Sequence, residues 1–167
     1  SLGEYSALVA NNSISFEDSV KLLIIRSEAM QKSMPIGTGG MAAVLGQSEE
    51  EMLLIIEKLK TYGKLFIAND NAHGQIVLSG EIKAIDHLCD NAKSIGAKRA
   101  IKLPVSAPFH CKLINDASLV LKDELEKFSF DEFTYPLYSN VTAEKSDANN
   151  IKPLLSKQII NKVRWRE

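Results

Sequence analysis

The stretch from Gly40 to Leu103 constrains the fold most, because its hydrophobic rhythm changes period at regular intervals. Residues 41–45 read as a strand. Ser48, with Glu51 three positions on, forms a capping box, and Met52, Ile55, Ile56 and Leu59 then recur at helical spacing as far as Gly63. Residues 65–68 and 75–79 read as a strand pair joined through Asn69, Asp70, Asn71, Ala72, His73 and Gly74, a run rich in turn formers. Ile82, Ile85, Cys89 and Ala92 mark a second helix closed by Gly96, and residues 99–103 a last strand. The order βαββαβ is that of a ferredoxin-like fold, so residues 40–103 are expected to form a compact inserted subdomain.

The flanks, 1–39 and 104–167, read differently. Residues 2–10 are small and apolar and stop at Asn11-Asn12, the pattern of a short helix. Ser15 caps a second helix, with Asp18 in the capping-box position and Val20, Leu23, Ile24 and Ser27 on the expected inner face. Pro35 and the glycines at 37, 39 and 40 break the chain. Pro104 and Pro108 bracket a stiff stretch that leads into His110. A helix is expected over 113–127 with Ala117, Val120, Leu121 and Leu125 inward, then a strand over 135–141 and a helix over 150–160. The flanks hold too few strands to close a parallel sheet unaided, so part of the protein is expected to precede Ser1.

Composition narrows the function classes. Hydrophobic residues make up 45% of 167, enough to bury a sizeable core. Twenty basic and 21 acidic side chains leave a net charge of -1, and no stretch clusters Lys and Arg with aromatics, so no nucleic-acid partner is expected. No apolar run reaches the ~20 residues of a membrane span. Two cysteines, Cys89 and Cys111, do not make a disulfide framework, which points to a reducing, cytoplasmic setting.

Few residues invite chemistry. Ser1-Leu2-Gly3-Glu4 looks like the second half of a nucleophile elbow, G-x-S-x-G, in which a serine hydroxyl is exposed on a sharp turn into a helix. The bland alternative is a serine that caps a helix. Leu2 would contribute a backbone N–H at the helix start, aimed at developing negative charge. Among the histidines, His73 reads as a turn residue and His87 as solvated. His110 stands apart, because the prolines before it can hold a side chain in place; its bland reading is a polar residue leading a helix. No pair has metal-ligand spacing. Arg26 lies in an apolar run, Leu22-Leu23-Ile24-Ile25-Arg26. It is either a surface arginine whose stem snorkels or a planar fork gripping a carboxylate.

Four motifs in register resemble the malonyl-CoA:acyl carrier protein transacylases of fatty acid synthesis. They are Ser1-Leu2-Gly3-Glu4-Tyr5-Ser6, then Arg26-Ser27-Glu28-Ala29-Met30-Gln31, then Val105-Ser106-Ala107-Pro108-Phe109-His110-Cys111, and Val163-Arg164-Trp165. The resemblance covers essentially the whole chain. It implies an α/β-hydrolase-like core in 1–39 and 104–167, a parallel sheet with helices, carrying the ferredoxin-like insertion. It also implies Ser1 as nucleophile, His110 as general base, Leu2 N–H as half of an oxyanion hole, and Arg26 as the partner of the malonyl carboxylate with Met30 lining the pocket. Asn71 and Gln75 would face the site, and a backbone carbonyl near Gln158 would orient the histidine. Phe109 is similar to the malonyl-selective members.

The sequence departs from the family pattern in places. The Gly-His pair that precedes the serine and the N-terminal glutamine that supplies the other oxyanion donor are not in this sequence, so a protein nearly twice as long is expected. Lys162 stands where a proline is usual before Val-Arg-Trp. The resemblance implies a ping-pong transfer from malonyl-CoA to acyl carrier protein by a monomer, with no cofactor or metal. Charge-assisted hydrogen bonds contribute about 1.5–3 kcal/mol each, so Arg26 would favour malonyl over acetyl by several decades. Competing readings are a serine esterase or thioesterase, an N-terminal-nucleophile amidohydrolase, an acyltransferase domain of a polyketide synthase, and an inactive fragment that only binds a carrier protein.

Overall fold

Two helices open the chain in the computed structural model, which describes residues 1–167. They are α1 (Leu2–Ala10) and α2 (Phe16–Lys32). Asn12 ends the first by turning to a φ of 57°, the left-handed conformation that Asn tolerates. Ser15 starts the second, its hydroxyl accepting from Asp18 N at 3.0 Å. The buried face of α2 is Ser19, Leu22, Arg26 and Met30, while Val20 and Ile24 are exposed, which corrects the expected inner face. Apolar residues sit on more than one side of this helix, so periodicity alone left its phase ambiguous. The polar Arg26 belongs to the inward stripe.

The central segment follows the sequence rhythm closely. Its elements are β1 (Gly39–Leu45), α3 (Glu49–Leu59), β2 (Leu65–Ala72), β3 (Gln75–Glu81), α4 (Ile82–Asp90) and β4 (Arg99–Lys102). The capping box that begins α3 is complete: Glu51 N donates to Ser48 Oγ at 3.2 Å and Ser48 N to Glu51 Oε2 at 2.7 Å. Strands β2 and β3 run further than expected and leave only His73 and Gly74 as the turn, with Gly74 at φ 71°. His87 is half-buried and stacks on Tyr62 with ring centroids 3.7 Å apart, rather than being solvated.

The C-terminal flank adds a 3-10 turn (Lys112–Ile114), α5 (Asn115–Leu125), the two-residue strands β5 (Leu137–Tyr138) and β6 (Lys145–Ser146), α6 (Ile151–Gln158) and β7 (Val163–Arg164). The strand expected over 135–141 shrinks to β5, and β6, its antiparallel partner, had no signal in the sequence. On α5, Val120 is exposed. Ser118 is buried in its place, with its hydroxyl donating to the Ser156 carbonyl at 2.8 Å.

The protein is a mixed α/β structure. Its main sheet has the order β4-β1-β3-β2-β7, antiparallel throughout except for the parallel pair β2–β7. One face of the sheet packs on α3 and α4 through Val44, Met52, Ile55, Leu59, Leu78, Ile85 and Leu88. The flanking helices share a separate core of Tyr5, Leu8, Leu22, Met30, Leu121, Leu125, Ile151 and Leu155. The other sheet face carries Met41, Ala68 and Val77, and Phe109 packs against both that face and the helical core. Phe109 therefore marks the seam between the two bodies, and His110 follows it. No helix is long and apolar enough to cross a membrane.

Candidate active site

Three distant segments meet at this seam. Ser1 is the N-cap of α1, yet its side chain makes no capping bond. Its hydroxyl lies 3.1 Å from His110 Nε2 and accepts from Arg26 Nη2 at 3.0 Å. The capping reading of Ser1 therefore fails, because its oxygen is engaged by an imidazole and a guanidinium instead.

His110 is placed by packing and by an unusual backbone. A side chain on Gly39 would come within 2.5 Å of Pro108 Cδ, so only glycine lets β1 and the proline-stiffened stretch lie this close. His110 has a φ of 58°, in the left-handed region that non-glycine residues rarely adopt. Nothing in the sequence signalled this. Nδ1 lies 2.8 Å from the Gln158 carbonyl, which can only accept, so the neutral ring carries its proton there. That leaves the Nε2 lone pair facing the Ser1 hydroxyl. Burial lowers the His110 pKa to about 4, with the Gln158 carbonyl opposing and Arg26 reinforcing the shift. The ring is therefore a neutral base at neutral pH. Its neighbour Cys111 is buried and inert: the thiol donates to the Pro108 carbonyl at 3.1 Å, and burial raises its pKa.

Arg26 is 8% exposed, so it is no snorkelling surface residue. Nη2 also donates to Gln158 Oε1 at 3.1 Å, and the guanidinium carbon sits 5.6 Å from the centre of the Tyr5 ring. Nε is buried without a partner, and burial lowers the Arg26 pKa. An arginine held this way has donor capacity to spare for an anion.

Gln158 emerges as the hub, with its backbone on His110 and its side chain on Arg26. Of the remaining expected residues, Leu2 follows Ser1 and is exposed, while Met30 lies in the helical core. Asn71 and Gln75 are not joined to the cluster by any hydrogen bond; Gln75 begins β3, exposed and paired with Leu45 and Ala72. The lengthened hairpin carries them toward its tip. A groove of about 610 Å³ between the segments around Met34 and Tyr62 holds none of these residues. No group of three or more His, Cys, Asp or Glu is arranged to hold a metal ion.

Sequence reasoning passed over Glu4 as a functional side chain. It is 5% exposed and bonded to Gln158 Nε2 at 2.6 Å. The signal was available: Glu4 is the only charged residue of α1, just as Arg26 stands out in its own apolar run.

A serine hydroxyl on an imidazole whose far nitrogen is tied down, at the start of a helix, is the arrangement of a serine acyltransferase or hydrolase. The chain belongs to the acyl transferase domain family, whose model matches residues 1–164. Over 169 residues it is 41% identical to the malonyl CoA-acyl carrier protein transacylase of Bacillus subtilis, covering 100% of this chain and 53% of that protein. The crystal structure of malonyl CoA-acyl carrier protein transacylase from Clostridium perfringens is similar with a TM-score of 0.90 and 44% identity, over 98% of this chain and 52% of the other. A type II PKS acyl-carrier protein in complex with its malonyl-transacylase matches with a TM-score of 0.91 and 35% identity, over 97% and 53%. The chain thus spans about half the length of the curated relatives it matches.

Proposed function

We propose that the complete gene product moves a malonyl group from malonyl-CoA to the phosphopantetheine thiol of acyl carrier protein through a malonyl ester on Ser1. The observation that carries this reading is the Ser1 oxygen held between His110 Nε2 at 3.1 Å and Arg26 Nη2 at 3.0 Å. His110 takes the hydroxyl proton as Ser1 Oγ attacks the thioester carbonyl. The C–S bond breaks, and coenzyme A leaves as the thiol with the proton from His110. The carrier thiol then gives its proton to His110 and attacks the ester, and Ser1 is restored. The Leu2 N–H at the α1 N-terminus faces the developing oxyanion.

Thioester is exchanged for thioester, so the step needs no metal or redox partner. Arg26 takes the malonyl carboxylate with its spare donor capacity, Nε being buried without a partner. In the same reading, 40–103 is a ferredoxin-like subdomain, supported by its βαββαβ order and the strand order β4-β1-β3-β2. The flanks are part of an α/β-hydrolase-like core, Asn71 and Gln75 border the substrate channel, and the protein works as a cytoplasmic monomer.

Intact mass of the complete gene product after exposure to malonyl-CoA tests this. A malonyl adduct that Ser1→Ala abolishes is expected; an adduct that survives in that variant overturns the assignment. Arg26→Ala should cut malonyl transfer while sparing acetyl transfer. Release of free malonate with no transfer to the carrier would establish a hydrolase instead.

A further inference from the structure

Glu4 is a carboxylate where a surface residue would not be. It is 5% exposed, one turn beyond Ser1, and burial raises its pKa, opposed by its hydrogen bonds to Gln158 and Asn140 N and by the charge of Arg26. Its Oε2 accepts from Gln158 Nε2 at 2.6 Å and from Asn140 N at 3.2 Å, while Oε1 is buried with no partner. A buried, incompletely bonded carboxylate costs stability, so its place calls for a reason beyond packing.

The reason lies in what Gln158 connects. Its amide bridges two groups of opposite character: Nε2 donates to Glu4, and Oε1 accepts from Arg26 Nη2 at 3.1 Å. An ionised carboxylate can only accept and a guanidinium can only donate. Only one orientation of the amide satisfies both. Turned over, it would set its NH2 against the guanidinium and its oxygen against the carboxylate. Nε2 also reaches the Ser1 carbonyl at 3.3 Å, so the same orientation ties the amide to the first turn of α1.

We propose that Glu4 is a positioning residue for acyl-group selection: through Gln158 it holds the Arg26 guanidinium at the Ser1 oxygen in the pose that accepts a carboxylated acyl chain. The inference rests on the reading of Arg26 as the carboxylate's partner. Without Glu4 the amide is free to turn, and Arg26 loses the acceptor that fixes its fork. His110 is oriented by the backbone carbonyl of Gln158, which does not turn with the amide. The loss should therefore fall on malonyl recognition rather than on the chemical step.

The test uses the complete gene product with malonyl-CoA and acetyl-CoA as donors. Glu4→Ala should lower kcat/KM for malonyl-CoA by about tenfold or more, mainly through KM. Its effect on acetyl-CoA should stay within about threefold. Glu4→Gln keeps an oxygen that can accept from both Gln158 and Asn140, and it should restore most of the malonyl preference. In an Arg26→Ala background, Glu4→Ala should leave the malonyl-to-acetyl ratio unchanged, because the effect runs through Arg26.

Should the alanine variant fail to fold, Glu4→Asp, which keeps the charge and shortens the reach, must still lower the ratio. Equal losses with both donors, an unchanged ratio, or an effect that persists without Arg26 would each overturn the proposal. No malonyl adduct on Ser1 in the unaltered protein would remove the functional reading and this inference together. An adduct with a ratio indifferent to Glu4 would remove this inference alone.

Discussion

In the sheet unit, Ser48 and Glu51 close their capping box across three positions, and β2 turns into β3 through two residues. In the flanks, Gln158 meets Arg26 across 132 positions, Glu4 across 154, and His110 meets Ser1 across 109. Each region has an apolar core of its own; the sheet unit adds hydrogen bonds between near neighbours, the flanks polar contacts between remote segments. The two are joined at the seam by Phe109 and at the C-terminus by charge. Lys162 Nζ bonds both oxygens of Glu49 at 2.8 and 2.9 Å, and Arg166 Nε bonds both oxygens of the buried Asp70 at 3.1 and 2.9 Å. Lys162 thus has a partner on α3. The sheet unit stands on its own core, and the polar cluster of Ser1, Arg26, His110 and Gln158 gathers where the flanks meet it.

Changes in the two regions should therefore fail in different ways. His110→Asn, which tolerates the left-handed backbone, should cut serine acylation by about 10³–10⁴-fold while the melting temperature moves little. Single-turnover acylation and a thermal scan read both. Leu78→Ala, at a fully buried site in the sheet core, should cost about 2–5 kcal/mol in denaturant unfolding yet leave malonyl preference intact in the folded fraction. A shift in preference there would show that the two regions are coupled.

pH should separate them too. The folded His110 has its pKa lowered to about 4, against an unfolded value near 6.5. As pH falls below 6.5 the unfolded chain binds the proton first. Stability should then decline by about 3 kcal/mol between 6.5 and about 4, where the folded ring protonates as well. Asn at this position should abolish that share of the slope. The smallest effect belongs to Ser48→Ala, which removes the α3 capping box and should cost about 1 kcal/mol with no change in acylation.

Legibility followed the same division. The βαββαβ order was readable because alternation and helical spacing are local, and Ser48 and Gly96 punctuate them. The phase of α2 was not, because Val20 and Ile24 look as fit for burial as Leu22. Only packing against α5 and the demand for Arg26 at the seam select the face. Strands β6 and β7 were missed for a related reason. Two residues carry no periodicity, and each exists only because a partner strand lies alongside. At the candidate site, Ser1, Arg26 and His110 stood out by residue type and motif, whereas Glu4 did not, although the reasoning applied to Arg26 would have found it.

The amino-acid sequence by itself determined the central secondary structure, the caps and turns that bound it, and the short roster of side chains able to do chemistry. Those depend on residues a few positions apart. The tertiary structure alone decided that the Gln158 side chain meets Arg26, Glu4 and the Ser1 carbonyl, and that His110 bends through a left-handed backbone. Such contacts join segments more than a hundred residues apart, and a hydrogen bond between them exists only once the helical core and the sheet have packed and set their distance.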